Sequence, residues 1–325
     1  MTGVQTLTVS PDEADLRLDR WFRRHFPALA HGRLEKLLRT GQVRLDGGRA
    51  KAADRIAAGQ EIRVPPLGEL PARDGKPPLP VRDADVRDLL GRVLHKDAAV
   101  LVLDKPPGLA TQGGSKLERH LDAMLGALQF EAKERPRLVH RLDKDTSGVL
   151  VLGRTARATA KLAEAFRHKS ARKVYWALVA GVPKLRRGRI ELALAKTEGP
   201  GGERMMEDQA EGKRAVTWYA TLDTAGRRAA WLALMPETGR THQLRAHCAY
   251  LETPIVGDAK YGGEAAYLTG EISRKLHLHA RAISLPHPDG GVLAVTAPLP
   301  AHMKQSWKLF GFDEKTAGDP FAELD

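Results

Sequence analysis

Three short strings hold most of the side chains able to do chemistry. In LVHRLDKDTSGVLVLG, Leu138 to Gly153, two acids, three bases and two hydroxyls stand directly before an apolar run. A polar loop feeding a buried strand is a common mount for a site. From the residues alone, Asp143 or Asp145 can act as nucleophile or base and His140 as general acid or base. The same letters also suit an ordinary turn, because Asp, Thr, Ser and Gly readily bend and cap backbone. In PETGRTHQLRAH, Pro236 to His247, a glycine-containing turn leads from a strand into a helix and brings Arg240, His242 and Arg245 to the helix start. That arrangement suits a phosphate or a carboxylate, and a solvated helix start is the plainer alternative. In ARKVYWALVAG, residues 171–181, strand alternation puts Lys173 and Tyr175 on one face and Val174 and Trp176 on the other. Tyr175 can stack on a nucleic-acid base or simply fill core.

The setting of these strings is basic. Lys161 to Arg189 holds nine Lys/Arg against the single acid Glu164, and the 325-residue chain carries a net charge of +12. With a pI near 9.8, the expected partner is a polyanion, nucleic acid first. Hydrophobic residues at 42% and charged residues at 28% lie far from the composition of disordered chains, so a folded protein is expected. Cys248 is the only cysteine, which excludes an internal disulfide and paired CxxC zinc ligands and fits a reducing cytoplasm. His277 and His279 alternate along a strand without a cysteine nearby; a structural role is expected for both, and no metal. No apolar run approaches the roughly 18 residues of a membrane span, and MTGVQTLTVSPDEAD has acids where a signal peptide has a basic flank. A cytoplasmic protein without membrane contact is expected.

The elements that must position these residues fall into two modules. Six prolines between Pro65 and Pro80 cannot hold a helix or a central strand, so residues 67–95 are expected to be a linker between a module at 1–66 and a body at 96–312, followed by an acidic, disordered tail at 313–325. In the first module Leu18, Trp21, Phe22 and Phe26 recur at helical spacing, as do Leu34, Leu37 and Leu38. QVRL at 42–45 and EIRV at 61–64 read as strands flanked by turns. Two helices against a small sheet follow. Arg33, Lys36 and Arg39 line one face of the second helix, where phosphates can be met. Between Arg17 and Arg55 eleven Lys/Arg stand against four Asp/Glu. The body reads as an α+β fold, with strands at 99–103, 149–153, 174–181, 215–222, 229–235, 276–280 and 292–296, helices at 156–168 and about 241–251, and a mobile loop at 199–212.

RLDRWF (17–22), GRLEKLLRTGQVRLDGGRAK (32–51) and AAGQEIRVPP (57–66) resemble the small αL RNA-binding domain of a ribosomal small-subunit protein and several RNA-modifying enzymes. From about Val100 to Pro300 the chain resembles the RluA-type pseudouridine synthases. DKPPG (104–108), HRLDKDTSG (140–148), KVYWALVAG (173–181), GKRAVT (212–217), TGRTHQLRAH (238–247), PIVGDAKYGG (254–263), LHLHA (276–280) and APLP (297–300) occur in the family's order. Leu244 replaces a common isoleucine, a volume-conserving exchange. The phrases in the first module are most similar to RluC-like synthases of large-subunit ribosomal RNA, with transfer RNA the second candidate.

The resemblance implies a mixed, mainly antiparallel catalytic sheet and an isomerase that turns uridine into pseudouridine with no cofactor. It implies that Asp143 is catalytic, that Tyr175 stacks on the flipped base, and that Arg245 pairs with the Asp143 carboxylate and offsets its desolvation. His140, Arg141, Arg240 and His242 are expected to bind substrate in the body, and Arg33, Lys36 and Arg39 in the first module. The expected partner is large-subunit ribosomal RNA, free or in pre-ribosomal particles, met by a monomer. A non-catalytic ribosome-assembly factor would have no chemical reason to keep Asp143, Tyr175 and Arg245 together.

Overall fold

The computed structural model describes residues 3–68, 82–113, 119–198 and 204–324, and the chain divides into two units, Met1–Pro80 and Val81–Asp325.

The first unit runs β1 (Gln5–Thr8), α1 (Leu18–His25), α2 (His31–Arg39), β2 (Arg44–Leu45), β3 (Gly48–Arg49) and β4 (Glu61–Val64). Its sheet has the order β1-β4-β2-β3. Trp21 and Phe22 of α1 and Leu34 and Leu38 of α2 pack with Ile62 and Val64 of β4, each fully buried side chain contributing about 1.5–3 kcal/mol. One buried acid sits at the edge of this core: Glu13 accepts from the Trp21 indole N–H at 3.0 Å and meets His25 Nε2 at 2.6 Å. Burial would raise its carboxyl, but hydrogen bonds from His25, Trp21 and Ser10 hold it down at about 2.

The second unit opens with α3 (Asp83–Leu90), β5 (Val93–Lys96), β6 (Val100–Lys105), α4 (Leu121–Met124) and β7 (Arg137–Leu138). It continues with β8 (Ser147–Gly153), α5 (Ala156–Arg167), β9 (Arg172–Ala180), β10 (Arg187–Thr197), β11 (Arg204–Glu207), β12 (Lys213–Ala225) and β13 (Ala229–Pro236). It closes with α6 (Gln243–Tyr250), α7 (Ala259–Gly262), β14 (Leu278–Pro286), β15 (Val292–Thr296) and α8 (Ala301–Phe310). Nine strands follow the order β11-β10-β12-β13-β9-β14-β8-β6-β5, with β15 on β14 and β7 on β8. Among the described strand pairs only β14–β8 is parallel; the sheet is mixed and mainly antiparallel, as the α+β reading expects.

Alternation sorts the side chains onto two faces. Ala177 and Val179 of β9 and Leu232 and Leu234 of β13 turn toward α6. Trp176, Leu178 and Trp231 turn toward Met303 and Trp307 of α8. His277 and His279 are fully buried: His277 Nε2 meets Ser306 Oγ at 2.8 Å and His279 Nδ1 meets Ser147 Oγ at 2.9 Å. Desolvation lowers both imidazoles, to about 4 and about 3.

Three expectations are corrected. The stretch 67–95 is not linker throughout: Leu67 is buried in the first unit's core, and α3 and β5 belong to the second unit, with β5 paired to β6. Leu89 of α3 is 2% exposed among Leu101, Leu103 and Leu121, so apolar burial overrides the linker reading there. The segment 313–324 is not a loose tail, since Phe321 packs with Trp231 and Phe312 and Asp319 accepts from Arg172 at 2.8 Å. In the 199–212 stretch, Arg204–Glu207 is a strand on β10, while 199–203 lie outside the described residues.

Candidate active site

The loop bearing Asp143 enters the sheet at β8, which is buried along its whole length between β6 and β14. Gly148 stands at φ 106°, and a Cβ there would collide with the Ala280 backbone; glycine alone lets β8 and β14 meet directly after the loop. The loop is pinned from below. Thr111 Oγ1 donates to Leu142 O at 2.6 Å and accepts from Leu142 N–H at 3.2 Å. Lys105, fully buried, donates to the carbonyls of Pro106, Leu109 and Lys144 at 2.9, 2.8 and 3.0 Å, the full donor capacity of an ammonium. Burial lowers this group to about 7, against the pull of Asp145, Asp143 and Asp104. Backbone on both sides of Asp143 is therefore fixed.

The Asp143 side chain, 24% exposed, opens into a cavity of about 510 Å³ that Lys173, Tyr175, Arg240, His242 and Arg245 also line. Tyr175 lies in mid-sheet, opposite Leu234 of β13 and Ala280 of β14. Desolvation, reinforced by Asp143, raises its phenol, so the ring stays protonated and offers a flat apolar face with one polar end. Lys173 lines the same cavity while Val174 and Trp176 pack in the opposite core, as strand alternation requires.

The second string is held by Gln243, a residue without an expected role. Its amide nitrogen donates to Val216 O and Thr217 Oγ1, both at 2.9 Å, and its oxygen accepts from Thr238 Oγ1 at 2.7 Å and Arg240 N–H at 3.0 Å. Arg240, which lines the cavity, donates from Nε to Arg214 O at 3.2 Å. His242 precedes α6 in the left-handed region, φ 51° and ψ 18°. Its Nε2 lies 3.9 Å from Asp143 Oδ2 and its Nδ1 3.1 Å from Tyr261 Oη.

Two expectations change here. Arg245 does not pair with Asp143: its Nε and Nη2 donate to Asp258 Oδ2 and Oδ1 at 2.7 and 2.6 Å. Asp258 is fully buried beside α6, and the shorter, two-pronged contact wins. Burial works against the Arg245 charge, but Asp258 and the more distant Asp143 raise it. His140 borders the cavity, but it is not a free acid or base at Nε2. Its Nε2 accepts from Val151 N–H at 2.8 Å, its ring stacks on Phe166 at 4.4 Å, and desolvation drives it down to about 3. Arg141 is exposed at the cavity edge. In the first unit, Arg33 donates to Leu67 O at 2.6 Å and so fastens its own module, while Lys36 and Arg39 border a separate shallow depression on α2.

Asp258, Tyr261, Gln243 and Lys105 had no expected role. The signal for Asp258 was available: a buried arginine needs an acid, and PIVGDAKYGG contains one. Taken together, an accessible carboxylate on a fixed loop, a flat ring and a cationic rim can bind an anionic polymer, receive an extruded base and attack or deprotonate its sugar. Among the described residues no group of three or more His, Cys, Asp or Glu is placed to hold a metal ion.

A family model described as RNA pseudouridylate synthase matches residues 99–250, which spans the Asp143 loop, Tyr175 and Arg245. The chain is 34% identical over 305 residues to ribosomal large subunit pseudouridine synthase C of Haemophilus ducreyi, covering 93% of this chain and 94% of that protein. It is 33% identical to RNA pseudouridine synthase 4, mitochondrial, of Arabidopsis thaliana, covering 92% and 80% respectively. Among solved structures, human RNA pseudouridylate synthase domain containing 4 superposes with a TM-score of 0.59 and 27% identity, covering 70% of this chain and 96% of that one. This chain belongs to the RNA pseudouridylate synthase family.

Proposed function

We propose that the protein isomerises particular uridines of large-subunit ribosomal RNA to pseudouridine, with Asp143 as the catalytic residue, and that it acts in the cytoplasm on free RNA or pre-ribosomal particles. The observation that carries the reading is the Asp143 carboxylate, open to a cavity it shares with Tyr175 and six Lys/Arg side chains, Lys173, Arg240 and Arg245 among them. Relatives named as large-subunit synthases align over nearly the whole chain, first unit included; that supports ribosomal RNA over transfer RNA. Among the described residues no helix is long and apolar enough to cross a membrane.

The reaction breaks the N1–C1′ bond, turns the uracil and joins C5 to C1′, and the proton leaving C5 is balanced by one gained at N1. Uracil is both leaving group and returning nucleophile. Glycoside hydrolysis uses two carboxylates because water is activated as well; here one suffices. Asp143 either attacks C1′ or removes the C2′ proton, and each route needs the ionised carboxylate. Extruding the uridine costs a few kcal/mol, and stacking on Tyr175 offsets about 1–3 kcal/mol of it. Lys36 and Arg39 of α2 add phosphate contacts from the first unit.

The test is incubation of the purified chain with large-subunit ribosomal RNA and, separately, with bulk transfer RNA, followed by chemical mapping of pseudouridine. Discrete new sites in the ribosomal RNA are expected. Modification confined to transfer RNA contradicts the substrate assignment, and no modification in either contradicts the activity.

A further inference from the structure

Behind His242 stands a short chain of polar groups that the reaction as described does not use. Tyr261 Oη accepts from the Met205 backbone N–H of β11 at 2.9 Å and lies 3.1 Å from His242 Nδ1. The other ring nitrogen, Nε2, faces Asp143 Oδ2 at 3.9 Å. Because the amide can only donate, it occupies a lone pair of the Tyr261 oxygen and leaves the phenolic proton to be directed elsewhere. Among the described contacts, His242 Nδ1 is the acceptor within reach. A ring that accepts at Nδ1 carries its proton on Nε2.

We propose that Tyr261 is a positioning residue for pseudouridine formation: it locks His242 in the Nε2–H tautomer, so that a neutral imidazole presents a donor to one oxygen of Asp143 and leaves the other for the sugar. The idea rests on Asp143 being the reacting group. Hydrogen bonds of this kind are often long in a free enzyme and tighten with substrate bound, and 3.9 Å leaves that step to be made.

Two further features fit. His242 is held at φ 51°, a conformation uncommon for a residue with a side chain, which persists only where the surroundings enforce it and which clusters at functional sites. Tyr261 is itself fixed: its N–H donates to Asp258 Oδ1 at 3.1 Å, and Arg245 lies over its ring at 5.0 Å. One acid, Asp258, therefore holds both Arg245 and the residue that orients His242. The groups facing His242 are Asp143 and Asp258, which favour its cation, and Arg245 and Lys260, which oppose it; desolvation comes first, and the ring is lowered from its ordinary value. A neutral donor hydrogen-bonds to the carboxylate without adding a net positive charge beside it.

The experiment is ¹⁵N NMR of the full-length protein, with the His242 signals assigned among twelve histidines by their loss in His242→Gln, together with steady-state kinetics of Tyr261→Phe on ribosomal RNA. Phe keeps the ring under Arg245 and removes only the hydroxyl. The expected wild-type spectrum shows Nε2 protonated and Nδ1 bare at neutral pH. In Tyr261→Phe both tautomers are expected, with kcat reduced about tenfold and KM within about twofold. A wild-type ring protonated at Nδ1, or an unchanged kcat in Tyr261→Phe, overturns the proposal. If Asp143→Asn keeps its turnover, the reading of the site fails instead; if Asp143→Asn is dead and Tyr261→Phe is fully active, the positioning role of Tyr261 alone fails.

Discussion

Arg245 and Asp258 meet in a two-pronged ion pair of 2.6 and 2.7 Å, with the Asp side chain fully enclosed and the Arg side chain 12% exposed. Gly257 makes the turn that places Asp258: its φ is 82°, and a Cβ there would collide with the Lys275 carbonyl. Removing one partner of such a pair strands the other charge in a desolvated site. Asp258→Asn is expected to lower stability by about 3 kcal/mol and also turnover, since Arg245 and Tyr261 both lose their anchor. Urea unfolding and kcat on the same preparation check this, and a variant as stable and active as wild type contradicts it.

The Tyr175 ring and its hydroxyl can be separated. Tyr175→Phe keeps a stacking face, so RNA affinity is expected to stay near wild type, whereas Tyr175→Ala is expected to lose about 1–3 kcal/mol of binding. Equilibrium titration with target RNA distinguishes them; equal affinities for Phe and Ala would argue against a stacked base.

Arg33 and Lys36 lie one helical turn apart on α2 yet should behave differently. Lys36→Ala is expected to leave stability unchanged and to reduce the slope of log affinity against log salt by about one. Arg33→Ala removes the contact to Leu67 O and is expected to lower the melting temperature of the first unit. Thermal unfolding and salt titrations of both variants check the contrast.

Glu13 links acid to the stability of the first unit. Its folded value of about 2 lies below the ordinary 4.5, so the stabilisation is fully present above pH 4.5 and is lost as pH falls toward 2. Glu13→Gln is expected to cost about 1.5–3 kcal/mol at pH 7, as hydrogen bonds to a charged group do, and much less near pH 2. Urea unfolding of both proteins across that range measures it.

Much of this was legible from residue spacing. Leu18, Trp21 and Phe22 announce α1, and the alternation around Tyr175 gives the correct faces, because 3.6 and 2 are the periods that burial imposes. HRLDKDTSG and TGRTHQLRAH come together in the fold as expected. What was missed is long-range or overridden by context. RGRIELALAKT alternates well enough to predict β10, but its many charges resemble a loop; the strand forms because Ile190, Leu192 and Leu194 find a buried face. The partner of Arg245 lies 13 residues on, behind a glycine turn, and spacing alone does not say which of two acids a guanidinium will meet. Asp83–Leu90 follows a proline run and was absorbed into it, although Leu89 has a core to enter.

Pseudouridine formation depends on the Asp143 carboxylate, and Asp143→Asn tests this most directly. The exchange keeps size and shape and removes the charge. Turnover of target ribosomal RNA should be abolished, while RNA affinity and melting temperature stay near wild type. Substantial pseudouridine formation by an Asp143→Asn protein that binds RNA normally would contradict the account.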